Sequence, residues 1–360
     1  MIDVCVINSM INKDGGSNDL RKKIEHYSYG LRDFLWQSEG YNVFYGLDES
    51  RGEKVAIRVV DLRRHPQVKE ALGAEIDIIK RLKHPNILNT LDVFSTVNNC
   101  YIITELYPDG SLEDRMRQRG RFDESEALSI FKQIVNGWVY LVKERVIHAN
   151  LEPGHLLLDH SRVTISGFGC SRREGKAPKN KPSFTLYQSP ESLRDDLSSF
   201  KGDIWSLGTI LYVLLHGDFP WKCQDRDDFA RKAGRTPLDM SPDLSKSVVD
   251  FLIRSLAPVE QRLNEQSFME HPLIASMSLG MGGASEEDNH REEQRPKHHT
   301  PHMVKQVEKQ ITAHHNWMRF LFRLLERLGP MAEEESTKVL KFIIARQVLV
   351  QYEELRTALC

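Results

Sequence analysis

The spacing of apolar positions changes several times along the chain, and each change marks an element. Over residues 27–60, short apolar runs alternate with turn residues, which predicts strands. The run VAIRVV (55–60) is β-branched and follows the turn signal DESRGE. Over 66–82 the spacing becomes helical, with Leu72, Ile76 and Ile79 on one face. ILNTLDVF and CYIITELY predict two more strands around the turn-forming VNN. Residues 27–107 thus form a small β-rich lobe with one helix. After Pro108-Asp109-Gly110 the segments SLEDRM, SEALSIFKQIVNGWVYLVKE, DIWSLGTILYVLLHG and LSKSVVDFLIRSLA predict helices. A Gly- and Pro-containing stretch of short apolar runs, 146–190, interrupts them. The expected architecture is α+β and bilobal, with a larger helical lobe over 108–275.

The flanks differ in character. Residues 1–26 read as an N-terminal extension, ending in the polar stretch NKDGGSNDLRKK. Residues 276–302 hold almost nothing apolar and read as a disordered linker, and His290, His298, His299 and His302 belong to that polar linker rather than to a metal site. In 303–360, Val304, Val307, Ile311, Met318, Leu321, Leu325 and Leu328 follow spacings of three and four, with His314 in the gap. Gly329-Pro330 ends that helix and a second follows, which predicts a C-terminal helical hairpin. Such a tail packs on the body, self-associates or binds a partner. The residues Arg319, Arg323 and Arg327 make 303–328 a candidate for a calmodulin-like or other helical partner.

Composition narrows the class. The chain has 360 residues, 40% hydrophobic and 28% charged, with a formal net charge of -2. These values fit a soluble globular protein and give no reason to expect nucleic acid or an anionic membrane as partner. The cysteines Cys5, Cys100, Cys170, Cys223 and Cys360 are far apart, so no Cys-x-x-Cys metal spacing exists and a reducing compartment is expected. No leader pattern and no apolar run of membrane length is seen, and a cytoplasmic location is expected.

Several segments in one order then change the picture. They are V-A-I-R ending at Arg58, Glu75 in the following helix, H-A-N-L-E-P-G-H-L-L-L from His148, G-F-G from Gly167, S-P-E ending at Glu191, G-D-I-W-S-L-G with Asp203, and Arg262 beyond. This set resembles the protein kinase signature set over roughly residues 28–275, in the manner of calmodulin-dependent or autophagy-initiating Ser/Thr kinases. The resemblance implies a bilobal fold whose chemistry is positioning of a triphosphate and metal ions and orientation of an acceptor hydroxyl.

The residues that this chemistry needs are replaced. Alignment on Val43 puts Trp36, Ser38 and Tyr41 at three glycine positions of the phosphate loop, with Gly40 displaced by one. Arg58 stands for the phosphate-anchoring lysine, and its fork suits a structural ion pair with Glu75. Asn150 stands for the catalytic Asp, and an amide is no general base. Glu152 stands for a phosphate-contacting Lys and reverses its charge. His155 and Gly167 stand for the two magnesium ligands, and neither offers an oxygen. No metal is therefore expected and no cofactor is required.

The packing residues are kept. His148, Phe168 and Ile79 match the family's stacked spine, Asp203 the support beneath the catalytic loop, and Glu191 with Arg262 the helical-lobe ion pair. Val43, Ala56 and Leu157 match adenine-pocket walls, and Glu105 and Leu106 the hinge. These residues are either core or a nucleotide pocket, one that leaves room for ATP without magnesium. Ala149 stands for the Arg that reads a phosphorylated activation loop. The loop 170–185 carries Arg172, Arg173, Lys176, Lys179 and Lys181, read either as a solvated loop or as a dock for an acidic or phosphorylated partner. The resemblance thus implies a pseudokinase acting as a regulatory or scaffolding partner, with an active kinase among its candidate partners. A weak or unconventional Ser/Thr kinase, and a tail-driven oligomerising adaptor with the kinase fold as platform, are the alternatives.

Overall fold

The structure is a computed structural model, and it describes residues 21–38, 40–195 and 199–277. The linker and helical-tail readings (276–302, 303–360) fall outside these residues from 278 onward.

The first part is one antiparallel sheet. Strands β1 (Arg21–Ile24), β2 (Tyr27–Ser38), β3 (Tyr41–Asp48), β4 (Glu53–Asp61), β5 (Thr90–Ser95) and β6 (Asn99–Glu105) lie in the order β1-β2-β3-β4-β6-β5. Alternation sorts the two faces. Tyr27, Tyr29, Phe44, Val55, Ile57 and Ile103 bury on one side, with the Tyr29 and Phe44 rings 4.9 Å apart. The opposite face carries Val60 and Ile102 into the core shared with helix α1 (Lys69–Ile79). Gly46 on β3 leaves room for Ile57 of the neighbouring β4, since a Cβ there would lie 2.4 Å from Ile57 Cδ1 and 3.2 Å from Ser28 O. Strand β1 brings the end of the expected N-terminal extension into the sheet. Its basic, exposed residues carry no apolar signal, yet Arg21 to Ile24 pair with Gly30 to Tyr27 and lengthen the sheet.

The second part is helical around α3 (Glu124–Lys143) and α5 (Phe200–His216). Helix α2 (Leu112–Arg119) begins with a Ser111–Asp114 capping box, and Asp123, Ser199 and Ser245 cap later helices. Trp138 on α3 meets Phe268 edge-on at 4.7 Å. Helix α5 is buried along almost its whole length, which explains its continuous apolar run. The interrupted stretch holds four short strands: β7 (Val146–Ile147), β8 (Leu156–Asp159), β9 (Arg162–Ile165) and β10 (Arg172–Arg173). They form the pairs β8-β9 and β10-β7. Helices α4 (Pro190–Asp195), α6 (Arg226–Lys232), α7 (Lys246–Ser255), α8 (Glu265–Met269) and α9 (Pro272–Ala275) complete this part. Among the described residues, no helix is long and apolar enough to cross a membrane.

Candidate functional site

The cleft roof follows from strand register. Trp36 lies opposite Val43, Val43 opposite Arg58, Tyr41 opposite Val60, and Tyr45 opposite Ala56. Directly opposed residues project to the same side of a sheet. The β2–β3 hairpin therefore turns Trp36, Tyr41 and Val43 to the face that carries Arg58. It closes between Ser38 and Tyr41, with Gly40 at φ 98°. Trp36 stays 56% exposed, so no core claims its ring.

Both terminal nitrogens of Arg58 are engaged. Its Nη1 donates to Glu75 Oε1 at 2.8 Å and its Nη2 to Oε2 at 2.6 Å, a two-bond fork. The Tyr41 ring centre lies 5.2 Å from the guanidinium carbon, a cation–π contact. The Nε is buried and has no hydrogen-bond partner among the described residues. Burial opposes the Arg58 charge, but Glu75 outweighs it and holds the pKa above its ordinary value.

The catalytic-loop segment hangs on one buried carboxylate. Asp203 accepts from His148 N and Ala149 N, both at 2.9 Å, and from Trp138 Nε1 at 3.3 Å. His148 is fully buried, with its Nε2 2.8 Å from Ser166 O and its Nδ1 accepting from Asn150 N at 3.3 Å. Its ring lies 5.0 Å from the Phe168 ring at an angle of 59°. Ile79 lies buried in the same core. Ala149 sits at φ 64°, in the left-handed region.

His155 and Gly167 meet. Gly167 has φ 79°, and a Cβ placed on it would lie 2.4 to 2.8 Å from the His155 ring. The imidazole thus occupies the volume that a side chain at 167 needs. It is fixed there by Nδ1, 2.9 Å from Asn150 O. The Asn150 side-chain amide points the same way, 3.4 Å from that nitrogen. Asn150, His155 and Gly167 are therefore one packed unit with no carboxylate in it. The nearest acid is Glu152, with Oε1 3.7 Å from His155 Nδ1. Burial and Glu113 push the Glu152 pKa up, against His155 and a hydrogen bond with Thr185. Glu113 was not singled out from the sequence. Its Oε2 would lie 3.2 Å from a Cβ on Gly154, so it reaches the floor beside Glu152. It stands on α2, some forty residues away, and local spacing gave no signal for it.

The adenine-pocket candidates are not fully enclosed. Val43, Ala56, Leu106 and Leu157 are each only half-buried. At the hinge, the Glu105 carboxylate accepts from Asn89 Nδ2 at 3.0 Å, Tyr107 OH at 3.2 Å and Arg162 Nη2 at 3.3 Å. Arg162 also stands 5.0 Å from the Tyr107 ring centre. Asn89, Tyr107 and Arg162 come together only through the fold.

The Glu191–Arg262 pair forms, with Arg262 Nη2 3.0 Å from Glu191 Oε2, and it holds the Glu191 carboxyl below its ordinary pKa despite burial. In the basic loop, Lys179 Nζ reaches Glu70 Oε1 on α1 at 2.6 Å, and Asn180 Nδ2 donates to Gly169 O at 3.3 Å. Arg172 donates to Lys176 O at 2.7 Å. Arg172 is half-buried, while Lys176 and Lys179 are both exposed, the latter in a surface ion pair with Glu70.

The family model of the protein kinase domain matches residues 39–274. Calcium-dependent protein kinase 4 of Plasmodium falciparum is 30% identical over 66% of this chain and 47% of its own length. The probable serine/threonine-protein kinase fhkC of Dictyostelium discoideum is 30% identical over 68% of this chain and 44% of its own. The serine/threonine-protein kinase H1 homolog of Danio rerio is 29% identical over 72% of this chain and 66% of its own. The chain thus spans less than two thirds of each of these relatives.

Proposed function

The chain belongs to the protein kinase family, and from that premise we propose that it is a pseudokinase, a protein-binding regulator or scaffold without phosphotransfer. The observation that carries this reading is the His155–Gly167 contact. Where the family holds magnesium there is an imidazole packed against a bare backbone, with a Cβ at 167 excluded by 2.4 Å. Magnesium demands oxygen ligands in near-octahedral geometry, and this pair supplies none. Arg58, bound by Glu75 and covered by Tyr41, has no free fork for a phosphate. Glu152 places negative charge where the transferred group would pass. Asn150 has no proton-accepting carboxylate. The residues present do not fit a magnesium–triphosphate.

The half-buried walls Val43, Ala56, Leu106 and Leu157 support a narrower role for the cleft, nucleotide binding without magnesium. The outer surface, including the loop around Lys176, is then what a protein partner reads, with an active kinase as the candidate. The names of the relatives favour the alternative, a weak Ser/Thr kinase. Thermal shift with ATP, with and without magnesium, and a radiolabelled phosphotransfer assay separate the two. The expected result is no magnesium-dependent stabilisation and no phosphate incorporation. Incorporation by the wild type that is lost in Asn150→Ala defeats the proposal.

A further inference from the structure

We propose that Asp109, Asp159 and His160 form a site for a borderline divalent cation of the zinc type, away from the cleft positions discussed above. One ligand atom from each lies within 4.8 Å of the others. They arrive from two segments: Asp109 just past the hinge, and the neighbours Asp159 and His160 at the end of β8 and in the turn before β9. His160 Nδ1 is 3.0 Å from Asp159 Oδ1 and 3.9 Å from Asp109 Oδ2. Zinc bonds to nitrogen and oxygen of about 2.0–2.1 Å in a tetrahedron set ligands about 3.3 Å apart, a value that these two distances straddle.

The two oxygens of Asp159 divide their work as a ligand requires. Asp159 Oδ1 faces the imidazole, while Asp159 Oδ2 lies 3.4 Å from Arg162 Nη2, which orients the carboxylate. Arg162 opposes a cation little, because Glu105 already pairs with it. The turn itself is held by His160 N donating to Asp109 Oδ2 and by Arg115 Nη2 donating to His160 O at 3.2 Å. Two carboxylates neutralise a divalent ion. The imidazole selects zinc-like ions over magnesium and calcium, which favour all-oxygen shells. The exposure of His160 leaves room for water to complete the coordination. A bound ion would clasp the hinge exit to the β8–β9 ribbon that carries Leu157.

The test is calorimetric titration of the full chain with zinc chloride, comparing wild type with His160→Asn and Asp159→Asn. Asparagine tolerates the left-handed backbone of His160, φ 56°, so the turn is kept. Histidines elsewhere can also take up zinc, so the reading is the difference between chains. The wild type should bind one equivalent that each variant binds at least about tenfold more weakly, and magnesium should not compete for it. Equal binding by all three chains, no zinc uptake by the wild type, or competition by magnesium as strong as by zinc would each overturn the assignment.

Discussion

Replacing Gly167 by Asp forces a Cβ to within 2.4 Å of His155 Cγ. Overpacking on that scale costs about 1–3 kcal/mol, and the left-handed backbone adds to it. Converting His155 to Asn as well vacates the space. Gly167→Asp is therefore expected to lower stability by about 3 kcal/mol alone. The pair with His155→Asn should recover about 2 kcal/mol of it, a coupling that a double-mutant cycle in urea measures. Additive losses would show that the ring is not what excludes the side chain. Arg58 makes a second prediction at this scale. Arg58→Ala strands the buried Glu75 carboxylate and should cost about 3 kcal/mol in the same assay. A loss under about 1 kcal/mol would mean that water already reaches the pair.

Helix α1 carries Gly73 at mid-length, with nothing within 4 Å of a Cβ built on it. Gly73→Ala should raise stability by about 0.5–1 kcal/mol, read from the melting midpoint. A lower midpoint would mean that the bare face is in contact with something outside the described residues. At this scale the sequence was a good guide where periodicity was strong. Helices α3, α5 and α7 and strands β4 and β6 follow directly from apolar spacing, because each buries a continuous stripe or face. Strand β1 did not follow, because an exposed edge strand of Arg and Lys has backbone pairing but no apolar pattern. The site divides in the same way. Arg58, Glu75, His148, Asp203, Glu191 and Arg262 were legible because motif order places them. The role of Tyr41 as cover for Arg58 was not legible, because cross-strand register decides which face a residue takes. Glu113 and the Glu105 partners were hidden for another reason: long-range contacts leave no local spacing to read.

Across the whole molecule, two buried neighbours titrate in opposite senses. Burial, aided by His155, holds His148 down at about 3, against an ordinary 6.5. Below pH 6.5 the unfolded chain takes a proton that the folded chain refuses, so stability present above 6.5 is lost as pH falls toward 3. Burial pushes Asp203 up to about 6 from 3.8, in spite of its three N–H donors. Here the folded chain keeps the proton, so stability present below 3.8 is lost as pH rises through 6. Between pH 4 and 6 the two slopes, each about 1.4 kcal/mol per pH unit, nearly cancel. Asp203→Asn removes one of them. Relative to wild type, its stability should fall by about 2–3 kcal/mol more between pH 6 and pH 4, as followed by urea denaturation at both values. Parallel pH profiles for the two chains would refute this.

The hinge knot has a dynamic consequence. Glu105 ends a strand of the sheet, Arg162 begins a ribbon of the helical part, and their ion pair, with Asn89 and Tyr107, binds the pivot between them. Any gaping of the lobes must pull this knot apart. A nucleotide held in the proposed cleft would meet these bonds on entering and on leaving, so loosening the knot with Arg162→Ala should speed both its arrival and its departure.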